Sequence, residues 1–305
     1  MEFKKVVLSR KGFDSSAGHG YSPFDPETGK YIVLPIPDEE IAGNFGNGTK
    51  FEDIKLQPNY LNGINVSNLR DLISHELLHY GSEAKNESRK KYAHFDPWLG
   101  HCPWLTPGSD HHVGAFGPSG PAQTHLQNQG VDVGSLFLFF SRFKPIRGRP
   151  DNLGIRVNPL KGVYFLYGWL KVGGKATSFD RVRKDKLLSR HPHATKDLDE
   201  NYPIYIAKPY LFDGSGIAGC GYFPKLTKSL LLTSEKYFET PSTWELPGFF
   251  FYSRPSHLKS REWQKSADGE TCTVSSGGRG QEFVFEESEY FWRWFKNLLQ
   301  ENLAS

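Results

Sequence analysis

The stretch Val133-Gly134-Ser135-Leu136-Phe137-Leu138-Phe139-Phe140, answered after a basic turn by Gly162 to Val172, decides the fold class. Both runs are dominated by leucine, aromatic and β-branched residues and bounded by glycine and proline, the pattern of strands. An apolar run, a turn and a second apolar run predict antiparallel pairing inside a sheet. Working outward, Lys5 to Ser9, Tyr31 to Ile36, Tyr202 to Tyr210 and Glu282 to Glu286 read as further strands, and Leu230 to Thr233 as a short one. Helical spacing occurs in two places. From Ser67 to Lys90, Val66, Leu69, Ile73, Leu77 and Tyr80 form a stripe with Ser67 as N-cap. From Glu289 to Leu303, Phe291, Trp294, Phe295 and Leu298 form another. Pro121 to Gln129 adds a short helix with proline in its first turn.

The expected fold is therefore α+β: a mixed or antiparallel β core, a helix near residues 67–90 and a C-terminal helix, in a single domain over residues 1–305. The paired runs are reminiscent of the small PUA-like barrels that hold bases, although any antiparallel core shares the pattern. With 305 residues the chain can bury a sizeable core, and 14% aromatic residues favour strands and a packed core over disorder. The formal net charge of +3 is too mild to argue for nucleic acid by itself, but a local basic patch can still hold phosphate. Cys102, Cys220 and Cys272 are dispersed and odd in number, which speaks against a disulfide framework or a zinc knuckle. The N-terminus carries no signal-peptide pattern, and the longest apolar run, Leu136 to Phe140, is too short for a bilayer. The expectation is a cytoplasmic protein with no membrane partner.

Five constellations carry candidate chemistry. His75-Glu76-Leu77-Leu78-His79 matches H-E-x-x-H, the zinc-hydrolase helix motif. On a helix, however, His75 and His79 would lie roughly 160° and 120° from Ile73, away from the apolar stripe, which favours a solvated face over a metal-dependent hydrolase. His94-Phe95-Asp96 can supply two ligands of a facial metal triad, with His191 or His193 of His191-Pro192-His193 as the third and Lys196 or Arg190 as an anchor for an acidic substrate. A divalent metal is the cofactor this pattern admits; the competing reading is an Asx turn at Asp96. Ser9-Arg10-Lys11-Gly12-Phe13-Asp14-Ser15-Ser16 places two cations, an acid and two hydroxyls in a turn after a strand. Arg10, Lys11, Ser15 and Ser16 are phosphate-binding candidates, and the alternative is a structural ion pair to Asp14. Gly114 to His125 is a glycine-rich loop entering a helix, with Gln123 and His125 near its start. Trp98 and Trp104 flank the long loop over residues 93–121 as base-stacking candidates, or else they fill the core.

The opening Ser9 to Ser16 string, Leu34-Pro35-Ile36-Pro37, His94-Phe95-Asp96-Pro97, Phe116-Gly117 with Ala122-Gln123 and His125-Leu126, Gly134 with Leu136 to Phe140, and Gly168-Trp169-Leu170-Lys171-Val172 together resemble the third type of nucleotide-modification-associated domain. The resemblance runs in order over most of the chain and implies a role near modified bases or nucleotides in bacteria, archaea and phage. Arg10, Lys11, Asp14, His94, Asp96 and His125 fall on the family's polar positions. Trp98, Ser135 and Pro118 depart from it: aspartates are usual at the first two and glutamine at the third. Two function classes follow. One is an enzyme acting on a nucleotide or nucleobase, with His94, Asp96, His125 and Asp14 as catalytic candidates and Arg10, Lys11, Ser15, Ser16 and Gln123 on the phosphate and nucleotide. The other, which those departures favour, is a non-catalytic reader of modified nucleic acid. The partner in either class is a nucleotide or nucleic acid, and the enzyme requires its polar groups to converge on one pocket.

Overall fold

A computed structural model describes residues 2–14, 17–39, 48–108, 113–194, 198–277 and 282–303. In chain order the strands are β1 (Val6–Arg10), β2 (Ser22–Phe24), β3 (Ile36–Asp38), β4 (Tyr92–His94), β5 (Ala115–Phe116), β6 (Leu136–Pro145), β7 (Val163–Ala176), β8 (Ile204–Ala207), β9 (Cys220–Tyr222), β10 (Thr243–Pro247), β11 (Trp263–Lys265), β12 (Thr271–Ser275) and β13 (Glu282–Phe285). The α-helices are α1 (Leu69–Ser74), α2 (Ser82–Lys90), α3 (Gly120–Asn128), α4 (Phe179–Val182), α5 (Phe249–Ser253) and α6 (Glu289–Leu303).

The two apolar runs pair antiparallel as β6 and β7, with a bulge at Phe139/Phe140. They form the middle of a mixed sheet ordered β13-β1-β6-β7-β8-β5, which curls into a half-barrel. The sheet is mixed because β1 and β2 both run parallel to β6 along one edge, β1 beside Leu136 to Phe140 and β2 beside Phe143 to Pro145. Between them the chain leaves the sheet at Arg10 and returns at Ser22, so the Arg10 loop is an excursion from the sheet edge. Fully buried Phe137 and Phe139 stack on this sheet, and Phe116 meets both edge-on. The separate three-stranded antiparallel sheet β10-β12-β11 inserts Trp244 edge-on against Phe140, with centroids 4.8 Å apart. On α6 the expected stripe is realised in part: Phe291, Phe295 and Leu298 are buried, and Trp294 is half-buried against the core. No helix among the described residues is long and apolar enough to cross a membrane.

Three expected elements differ. The helix expected from 67 to 90 is broken. α1 starts from Asn68, not Ser67, and the Asn68 side chain accepts the Asp71 N–H. It ends at Ser74, and a 3₁₀ turn over Glu76–Leu78 follows. His79 is left-handed at φ 48°, and α2 begins anew after Gly81. The apolar spacing was satisfied by packing Leu69, Leu72, Ile73, Leu78 and Tyr80 inward without a continuous helix. Tyr31 to Ile36 is not a regular strand: Tyr31 makes an isolated bridge to Phe24, Leu34 N–H is taken by Ser22 Oγ, and only Ile36–Asp38 joins a ladder. Expected Leu230 to Thr233 becomes a 3₁₀ turn with single bridges from Leu231 and Thr233.

Because Phe139 is wholly buried between Phe116, Phe137 and Tyr167, Phe139→Ala should lower the unfolding free energy by about 3–5 kcal/mol in denaturant titration.

Candidate metal centre

The antiparallel β3–β4 ladder sets Ile36 opposite His94, so Asp38 lies diagonally across from His94. Asp38 Oδ2 is 3.0 Å from His94 Nδ1. A carboxylate accepts, so the His94 proton sits on Nδ1 and Nε2 keeps its lone pair. That Nε2 points at His193 Nε2, 3.0 Å away. Asp96 follows His94 at the strand spacing of two and reaches the same place: its Oδ2 is 3.7 Å from His193 Nε2. The ligand atoms of His94, Asp96 and His193 all lie within 4.8 Å of one another, a set that could hold a metal ion. Two imidazole nitrogens bound to one cation at about 2.1 Å would stand about 3.0–3.4 Å apart, so the observed separation suits shared coordination.

Each member is held from behind. Asp96 Oδ1 accepts the Gly117 amide at 3.2 Å and lies 3.1 Å from His191 Nε2, leaving Oδ2 to face the histidine pair. His191 Nδ1 accepts the His193 N–H, which puts that ring's proton on Nε2, toward Asp96. The His191 ring is fully buried edge-on against Trp98, 4.8 Å between centroids. A small satellite core of Trp98, Ala115, Val182, Leu188, Ala194 and Ile204 fixes the segment carrying both histidines. Gly117 has no room for a side chain: a methyl there would come within 2.4 Å of the His193 ring. Burial pushes the Asp96 carboxyl up, but contact with His191 and the charges of His193 and His94 outweigh it and bring it down to about 2. Burial, with His94, His191 and Lys11 adding to it against Asp96, pushes His193 down to about 3, so its imidazole is neutral.

The remaining site residues fall beside this cluster. Lys11 Nζ sits 4.6 Å from the centroid of Phe116, the residue before Gly117, and 3.7 Å from Glu282 Oε1. Arg10 pairs with Asp14 at 3.1 Å, and Asp14 Oδ1 also accepts the Ala17 N–H at 2.7 Å. Asp14 thus ties down the Arg10 loop, the ion-pair reading of this turn. His125 and Gln123 are buried on α3, which packs against β13. His125 acts on the Glu282 carboxyl, and Gln123 Oε1 faces Tyr205 Oη at 3.5 Å. Trp98 and Trp104 are core residues at 2% and 0% exposure, so neither ring offers a face to a base. His75 caps the 3₁₀ turn by accepting the Leu77 N–H, and His79 is exposed in left-handed backbone, so no zinc-hydrolase helix forms. Arg190 is exposed, while Ser15, Ser16 and Lys196 lie outside the described residues. Asp38 and Glu282 were not anticipated, and Gly117 was read only as part of the glycine-rich Gly114 to His125 loop. Only a charge opening the apolar strand Glu282-Phe283-Val284-Phe285 hinted at Glu282.

The chain belongs to the nucleotide modification associated domain 3 family, whose model matches residues 5–286. Neither the curated proteins nor the solved structures give a match.

The Asp96 carboxyl lies below its ordinary value, so it contributes stability above about pH 4 that is lost as the pH falls toward 2. In Asp96→Asn, the drop in unfolding free energy between pH 5 and pH 2 should be smaller than in wild type by about 2 kcal/mol, measured by urea titration at each pH.

Proposed function

We propose that this chain is a divalent-metal-dependent enzyme that acts on a nucleotide or nucleobase, with His94, Asp96 and His193 as the metal ligands. The observation that carries the proposal is the convergence of two imidazole nitrogens and one carboxylate oxygen, with His94 fixed through Nδ1 by Asp38 and Asp96 through Oδ1 by Gly117 and His191. Metal-binding histidines and carboxylates are held in this manner, with the far nitrogen or oxygen occupied so that the near one is aimed. Asp38 turns His94 Nε2 toward the cluster and the low Asp96 carboxyl is ionised, while ligation by His193 Nε2 would displace the proton held between the two imidazoles. Two imidazoles and one carboxylate on one face suit iron(II), manganese(II), cobalt(II) or zinc(II) and leave coordination positions open.

When bound, such an ion would polarise a substrate oxygen or activate water. The chain's own residues do the rest. Lys11 stands next to the cluster as the cation for a substrate phosphate, which a family acting in nucleotide modification supplies a reason for. Arg10 shapes the same loop through Asp14. The reader alternative loses its stacking platforms, since Trp98 and Trp104 are enclosed. The Trp98 departure has a structural use of its own as the wall against which His191 packs.

The test is metal titration of the apo chain by calorimetry, with metal content measured after gel filtration. Wild type and His75→Ala/His79→Ala should each bind one equivalent of the same metal. His94→Gln and His193→Gln should bind none while keeping the wild-type circular dichroism spectrum. Asp38→Asn should weaken binding about 10–100-fold, and Gly117→Ala should do likewise by displacing the His193 ring. Stoichiometric binding that survives His94→Gln and His193→Gln together would sink the assignment.

A further inference from the structure

Past Leu170 the neighbour of β7 changes. Gly168, Trp169 and Leu170 pair with β9, whereas Val172 onward pairs with β8. A crevice of about 710 Å³ opens at this fork, lined by residues 206–209, residues 218–222, Leu99, Gly100, Val113 and Gly114 among others. It adjoins the metal centre through one backbone pairing. Trp98 and Ala115 exchange two hydrogen bonds at 2.8 Å, with their chains antiparallel. Asp96 and Gly117, joined by their own hydrogen bond, lie on one side of that pairing, and Gly100 and Gly114 lie on the other. Tyr222, in the crevice wall, brings its Oη to 3.5 Å from Pro97 O.

The crevice has three chemical features. The first is an unpaired backbone edge. Lys171 N–H bonds Gly219 O at 2.7 Å and Phe223 N–H bonds Tyr167 O at 2.9 Å, so by the antiparallel alternation the N–H and C=O groups of Cys220 and Tyr222 point away from β7. Among the described residues no strand pairs with that side of β9. The second is an uncompensated cation. Lys208 is half-buried and forms no ion pair among the described residues, and no carboxylate lines the crevice. The third is an apolar slot with a small floor. A methyl on Gly114 would come within 2.3 Å of Cys220 Sγ and 2.5 Å of Ala207 Cβ, so those two side chains meet over its bare backbone. Burial pushes the Cys220 thiol up to about 11, so it lines the slot as a neutral group and not as a nucleophile.

A planar ring with donors and acceptors along one edge and an anionic group at one end matches all three. The volume lies within the roughly 300–1,000 Å³ of ligand pockets. An extended peptide is the other partner that a bare strand edge accepts, but β9 offers only three residues, short of the about five or six over which strands usually pair. We propose that this crevice binds a nucleotide unit, with the base against the Cys220–Tyr222 backbone edge and the phosphate at Lys208. The proposal rests on the nucleotide reading of the protein for the choice among planar anions, and its residues are distinct from the metal ligands. The unit is either a free nucleotide or part of a strand that continues to the metal centre.

The experiment follows alkylation of Cys220 by iodoacetamide in the folded full chain, since Cys102 and Cys272 are buried, with Cys220→Ser as the unlabelled control. The probes are the four ribonucleoside 5′-monophosphates, ribose 5-phosphate, a mixed-sequence tetranucleotide and an alternating valine–glutamate hexapeptide. At least one nucleotide or the tetranucleotide should slow labelling about tenfold at a concentration where ribose 5-phosphate has no effect. Lys208→Gln should weaken that protection about tenfold. Ala218→Glu, which sets a carboxylate at an exposed lining position, should do the same. Both variants should keep the wild-type melting temperature and ligand-free labelling rate. Protection by the tetranucleotide at lower concentration than by any mononucleotide assigns the unit to a strand, and equal protection assigns it to a free nucleotide. Protection by no nucleotide, by ribose 5-phosphate equally, by the hexapeptide alone, or unaltered in both variants overturns the proposal. The double variant His94→Gln/His193→Gln should keep the protection. A chain that binds no metal but is protected therefore loses only the metal reading, and one that binds metal without protection loses only this one.

Discussion

A carboxylate withdrawn from water has to be surrounded by donors, and in this protein that carboxylate is Asp96. Its side chain is 3% exposed, and an isolated charge so placed would cost several kcal/mol. The structure meets the demand with an amide from Gly117 and two histidines from one short segment. The other features of the region follow from that requirement. Gly117 stays bare so that His193 can approach, Trp98 closes the far side of His191, and a separate small core anchors the histidine segment. Asp38 then orients His94 from the opposite side.

Lys11 connects this arrangement to a second buried acid. Its ammonium lies against Phe116 and near Glu282, and its charge is felt at His193. Two buried carboxylates with one lysine between them, on a sheet otherwise lined with phenylalanine, is an expensive interior. A fold selected only for stability would replace such groups by apolar ones of similar size. Their burial is the reason the proposed site is drawn around them and not on the aromatic sheet itself.

The His75–His79 segment illustrates how a motif fails. Residues at helical spacing need only point inward, and a short helix followed by a 3₁₀ turn and a left-handed residue achieves this as well as a continuous helix. The motif's chemistry depends on that continuity, since only consecutive turns put both histidines on one side. The H-x-D pair behaves differently because residues two apart on a strand share a side by backbone geometry alone. His94 lies on β4 and Asp96 just beyond its end, and that short-range relation holds.

From the sequence alone come the paired apolar runs, the C-terminal helix, the nearness of His94 to Asp96 and the family resemblance, because each depends on neighbours along the chain or on strings matched in order. The His191-Pro192-His193 string was visible as a metal candidate, but nothing local could say which histidine ligates and which supports. That was decided by tertiary structure: His193 meets His94 across 99 residues, and Asp38 meets it across 56. Trp98 and Trp104 could equally have been surface platforms or core; the packing around them, not their chemistry, made them core. Glu282 was hidden for the same reason. An acid at the start of an apolar strand looks like a solvated end until the neighbouring strand and α3 close over it, and only the folded chain brings those elements together.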